Sequence, residues 1–154
     1  MLEAVPANFF STRFVLRDDG KLVGELDSSM WRESAQLELG EGSYLLYREG
    51  LWSGEFIMER NGQVVARAVK PSMWLYNFDV AFGSRTVALR RLSVWRRRFG
   101  VFESDKQAGS IYPVGMMTRR ANVELPAGWP VVEKSFLFWL AFLMWKRQSQ
   151  AAGS

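Results

Sequence analysis

Along the first 125 positions apolar and polar residues alternate in short runs, broken every eight to twelve residues by turn signals. Period-two alternation over four to eight residues is the mark of a half-buried strand. RFVLRDDGKLVGEL (residues 13–26) places two such runs around Asp19-Gly20. GEFIMERNGQVVARA (54–68) does the same around Asn61-Gly62. Both dipeptides favour the positive φ values of a tight hairpin turn.

The two hairpins align without a gap at an offset of 42. Phe14 matches Phe56, Leu16 matches Met58, and Leu22-Val23 matches Val64-Val65. VFESDKQAGSIY (101–112) reads as a weaker third copy, turning at Asp105-Lys106. An internal repeat explains this better than the general likeness of hairpins. Further hairpins are expected around Gly40 to Gly42 and Gly83-Ser84, and a last strand in RRANVELP (119–126). The total is eleven or twelve short strands.

After Pro126, Gly128 and Pro130 the pattern changes. No Gly or Pro occurs again until Gly153, and the run predicts a helix over about 131–148. Glu133 falls in its first turn and Lys146-Arg147 in its last, both favourable to the helix dipole. At its centre, FLFWLAFLMW (136–145) has no charged side chain on any face. At about 1.5 Å per residue this run covers about 15 Å, half a bilayer core. A helix apolar all round must be surrounded. The expected fold is therefore mainly β: a closed antiparallel barrel of about twelve strands around a buried C-terminal helix. Residues 1–9 are expected to precede the barrel, 10–148 to form it, and 149–154 to be a disordered tail.

The organisation of RFVLRDDGKLVGEL, GEFIMERNGQVVARAVK and SFLFWLAFLMWKR resembles the tubby-like superfamily, which includes tubby C-terminal domains, LURP-one-related proteins and phospholipid scramblases. The resemblance covers about residues 10–148 and implies a non-enzymatic barrel that binds anionic phospholipids. The cysteine cluster and acidic calcium segment of the scramblases have no counterpart here. The basic phosphoinositide-binding residues of tubby domains cannot be matched to positions in this chain.

Composition narrows the chemistry. The 154 residues suffice for one domain, and they include no Cys and no His. Disulfides, thiol and imidazole nucleophile pairs and the commonest zinc ligands are thereby excluded. No P-loop, EF-hand loop or dinucleotide fingerprint is present. Gly109 and Gly115 read as bulge or turn glycines, and Met73 to Tyr76 as core or rim. The expectations are no enzyme activity, no metal and no cofactor. No secretory leader pattern is evident in the first residues, so a cytoplasmic location, peripheral at the membrane, is the default.

Charge is unevenly spread. Residues 1–79 hold 8 basic and 12 acidic side chains, and residues 80–154 hold 12 and 4. Between Val80 and Phe102 lie Arg85, Arg90, Arg91, Arg96, Arg97 and Arg98, and no acid. With a turn expected near Arg91 to Ser93, Arg96 to Arg98 would sit on the following strand. These six are the candidate site for an anionic ligand, with Arg119-Arg120 adjoining, because guanidinium forks suit phosphate. The candidate partner is an anionic membrane lipid. The alternatives are a solvated face paired with the acidic half, a protein-interaction module, and, more weakly, nucleic-acid binding with Trp95 as a stacking base.

Overall fold

The computed structural model describes residues 1–50, 54–71, 76–93, 95–115 and 118–153. Twelve strands form a closed barrel: β1 (Leu2–Pro6), β2 (Arg13–Asp18), β3 (Lys21–Ser28), β4 (Ser34–Leu39), β5 (Gly42–Glu49), β6 (Glu55–Arg60), β7 (Gln63–Val69), β8 (Phe78–Phe82), β9 (Arg85–Ser93), β10 (Arg98–Glu103), β11 (Lys106–Pro113) and β12 (Ala121–Glu124). Each pairs antiparallel with its neighbours in sequence, and β1 closes the ring against β12. The helix α1 (Val131–Ala152) follows. Its residues from Lys134 to Trp145 are buried. Among the described residues no helix is long and apolar enough to cross a membrane.

Two boundaries differ from expectation. The barrel begins at Leu2, not after residue 9. Leu2 and Ala4 point inward while Glu3 and Val5 are half-buried, and without β1 the edges of β2 and β12 would be unpaired. The helix continues to Ala152, so residues 149–152 are not a tail. Nothing in QSQAA breaks a helix, and Gly153 supplies the stop. Lys146 and Arg147 therefore do not lie in the last turn.

The repeat is structural and threefold. Asp19-Gly20, Asn61-Gly62 and Ser104-Asp105 all have positive φ at both turn positions. The third turn thus sits one residue before the expected Asp105-Lys106. Each hairpin carries a bulge at the same place, on Val23, Val65 and Ala108. Gly109 is accordingly the strand residue beside a bulge.

The repeat also explains why the helix is apolar on every side. The equivalent inward residues Phe14, Phe56 and Phe99 grip it from three directions. Phe14 meets Phe138 and Phe142 edge-on at 5.1 and 5.0 Å between ring centroids. Phe56 meets Trp139 at 5.8 Å, and Phe99 meets Trp145 at 6.2 Å. The Phe14 and Phe56 pairs are edge-to-face, an arrangement that adds roughly 0.5–1.5 kcal/mol each beyond area burial, while Phe99 and Trp145 are tilted at 54°.

Candidate functional site

The antiparallel order gives the barrel two unlike ends. Five tight hairpin turns, β2–β3 through β10–β11, lie at one end, where α1 enters. This entry is sealed by ion pairs. The Lys134 ammonium, almost wholly buried, donates to both carboxylate oxygens of Asp18 at 3.1 and 3.2 Å. Arg85 donates to Glu103 at 2.9 Å and to Glu133 at 2.7 Å, and stacks over the Trp129 ring at 4.2 Å.

Six longer connections lie at the other end, where α1 emerges. There Trp145 Nε1 donates to the Arg97 carbonyl at 2.8 Å. Lys146 Nζ donates to the Ser29 and Met30 carbonyls at 3.2 and 2.8 Å. Arg147 forms a two-pronged pair with Glu33, at 2.7 and 2.8 Å, and Arg48 joins the same carboxylate at 3.0 Å. Partial burial alone would raise the Glu33 pKa, but the hydrogen bonds and charges of Arg147 and Arg48 outweigh it and hold the carboxyl below its usual range. Burial pushes the Lys146 ammonium below the ordinary lysine range; Glu33 opposes this and Arg119 adds to it.

The six candidate arginines do not converge. Arg85 is at the entry end and is engaged by two carboxylates, so it is removed from the candidate anion site. Arg90 is exposed on the outer wall of β9, and Asp79 and Asp105 line the same shallow depression. Arg91 is half-buried with its guanidinium 4.5 Å above Tyr76. Arg98 lies 4.5 Å above Tyr112 and donates to Ser110 Oγ at 3.1 Å. Arg96 and Arg97 are not on a strand, because β9 runs on to Ser93 and the turn falls at 95–97. Ser93 Oγ accepts the Arg96 amide, and Arg97 has φ of 51°. This turn displays Trp95, which is 95% exposed. Of the residues from Met73 to Tyr76, only Tyr76 lies within the described residues.

What the sequence reading missed is the company Trp95 keeps. Phe9 and Phe10, on the β1–β2 connection, are 74% and 76% exposed. Met30 and Trp31, on the β3–β4 connection, are 51% and 89% exposed. All exposed aromatic residues among those described therefore lie on connections at the helix-exit end. Exposed Arg32, Arg96, Arg119 and Arg120 are on the same set of connections. None of these four joins an ion pair among the described residues. The available signal was parity: in an antiparallel barrel every second connection shares an end, and aromatics recur on those connections.

Comparison with protein-family models, with curated proteins and with solved structures finds no match to the chain.

Proposed function

We propose that the protein is a non-catalytic module that docks end-on at anionic membrane surfaces through the helix-exit end of its barrel. One observation carries this reading: among the described residues every exposed aromatic lies on the connections at that end, interleaved with Arg32, Arg96, Arg119 and Arg120, four exposed arginines that join no ion pair there. Soluble proteins rarely leave large apolar side chains clustered in water without a use for them. Aromatic side chains favour the interface between lipid head groups and hydrocarbon, and arginine is drawn to the anionic surface. Four arginines at about 1 kcal/mol each give about 4 kcal/mol, or nearly a thousandfold, which is useful and reversible attachment. The closed twelve-stranded barrel around a C-terminal helix also supports the tubby-like reading and its expectation of lipid binding.

The test is sedimentation with vesicles of phosphatidylglycerol and phosphatidylcholine, against phosphatidylcholine alone. Binding is expected to the acidic vesicles only, and to weaken with salt as the Debye length falls from about 10 Å at 0.1 M to about 3 Å at 1 M. Arg32→Glu with Arg96→Glu and Arg120→Glu should abolish it, as should Trp31→Ser with Trp95→Ser. Wild-type protein that ignores acidic vesicles at low salt would refute the reading and favour a protein partner for this end.

A further inference from the structure

A cavity of about 300 Å³ opens at the centre of the helix-exit end, beside the emerging α1. Its floor is apolar: Phe142 and Trp145 from the helix, with Met30 and Pro113 from the rim. Its wall is cationic, formed by Arg97, Arg119 and Lys146. We propose that this cavity is a binding site for the phosphate head group of an acylated lipid. The inference rests on the docking reading above and adds a defined pocket to what would otherwise be diffuse surface attraction.

Three features carry it. First, positive charge is in surplus. Arg97, Arg119 and Lys146 have no carboxylate at ion-pair distance among the described residues, whereas the neighbouring Arg147 and Arg48 are matched by Glu33. The cations are held in place without being neutralised. Arg119 Nη1 donates to the Ser11 carbonyl at 2.9 Å, and Lys146 uses two of its three donors on backbone carbonyls. Donors therefore remain for an anion. Burial and the nearness of Arg119 both disfavour the charged form of Lys146, a cost that a bound phosphate would relieve.

Second, the positions are fixed by packing. Trp145 holds the Arg97 backbone through its indole N–H, in a turn that needs the positive φ of Arg97. The two helix residues of the floor, Phe142 and Trp145, belong to the buried core and do not have to be assembled on binding. Third, the size selects. The cavity is at the small end of the range for small-molecule sites, roughly 300–1,000 Å³. It takes a head group and its glycerol, and leaves acyl chains to run outward past Met30 into the layer that the rim aromatics would occupy.

The experiment uses the full chain and a monomeric lipid, so that pocket and membrane docking are separated. Dihexanoyl phosphatidic acid, below its micelle concentration, is titrated by calorimetry beside dihexanoyl phosphatidylcholine and glycerol 3-phosphate. Saturable 1:1 binding of the phosphatidic acid is expected. Glycerol 3-phosphate should bind at least tenfold more weakly, having no acyl chains to pack along Met30 on the way out of the cavity, and phosphatidylcholine should not bind. Lys146→Gln and Arg119→Gln should each weaken binding at least tenfold, while Arg90→Gln, on the outer wall, should not. Arg119 is exposed, so its variant reports on the site even if Lys146→Gln disturbs the fold. Trp31→Ser with Trp95→Ser should lose vesicle binding yet keep the monomeric lipid, which distinguishes failure of docking from failure of the pocket. No binding of the phosphatidic acid, or binding unaffected by Arg119→Gln, would overturn the proposal. Equal affinity for glycerol 3-phosphate would overturn the lipid assignment in favour of a free phosphate ester.

Discussion

Removing the Asp18 carboxylate should destabilise the barrel far more than removing the lysine it serves. The Lys134 side chain is 1% exposed and Asp18 is 18% exposed, with the ammonium 3.1 Å from the nearer oxygen. At an effective dielectric constant of about 20 the attraction is about 5 kcal/mol, against which both groups have lost hydration. Asp18→Ala leaves the ammonium buried without a carboxylate at contact distance, and breaking a buried pair in this way costs roughly 3–5 kcal/mol. Lys134→Met instead removes the more deeply buried ion and leaves an apolar chain of similar length, so the charge left behind is the better-solvated one. Asp18 then still has the Met1 ammonium at 3.6 Å and partial access to water. The double variant should resemble Lys134→Met alone. Urea unfolding followed by tryptophan fluorescence measures all three. With a slope of about 2 kcal/mol per molar urea, Asp18→Ala should lower the midpoint by roughly 1.5–2.5 M. Equal losses for the two single variants, or a loss below about 1 kcal/mol for Asp18→Ala, would refute this account of the entry seal.

Phe14→Ala, Phe56→Ala and Phe99→Ala should each cost about 3–5 kcal/mol in the same assay, since all three rings are buried against α1. Gly109→Ala should destabilise strongly and Gly128→Ala should not. An added Cβ at 109 would lie 1.8 Å from the Glu124 carbonyl oxygen, while nothing lies within 4 Å at 128. Because the folded-state pKa of Glu33 is depressed, its contribution is present above the unfolded glutamate pKa of about 4.3 and is lost as pH falls through the lower folded value. Protection of the last turns of α1, taken as amide exchange relative to the intrinsic rate at each pH, should therefore fall on acidification below about pH 4.3, and Glu33→Gln should remove that change in protection.

The barrel was legible because two independent patterns demanded it. Alternating strands needed closure, and a helix apolar all round needed an enclosure. The Asp-Gly and Asn-Gly turns also set the register of the repeat. The third copy was harder to see, because Ser104-Asp105 reaches the same turn without glycine and the spacing grows by one residue. The first strand is hard to read because LEAVP is short and one of its two partners, β12, is the last strand of the chain and meets it only on closure. The arginine run misled for a geometric reason. A nine-residue strand separates Arg85 from the turn at 95–97, so contiguity in sequence became separation to opposite ends of the barrel. The aromatics did the reverse: Phe9, Trp31 and Trp95 are scattered in sequence and come together at one end.

The docking claim can be tested most directly with a single spin label, because the chain has no cysteine of its own. Ala7→Cys places the label on the exposed β1–β2 connection at the helix-exit end, and Ser84→Cys places it on the exposed β8–β9 turn at the entry end. Accessibility to oxygen and to a water-soluble nickel chelate is then measured on acidic vesicles. End-on docking predicts that the label at 7 becomes lipid-immersed while the label at 84 stays aqueous. A bound protein whose label at 84 enters the lipid, or whose two labels both remain in water, would contradict the account.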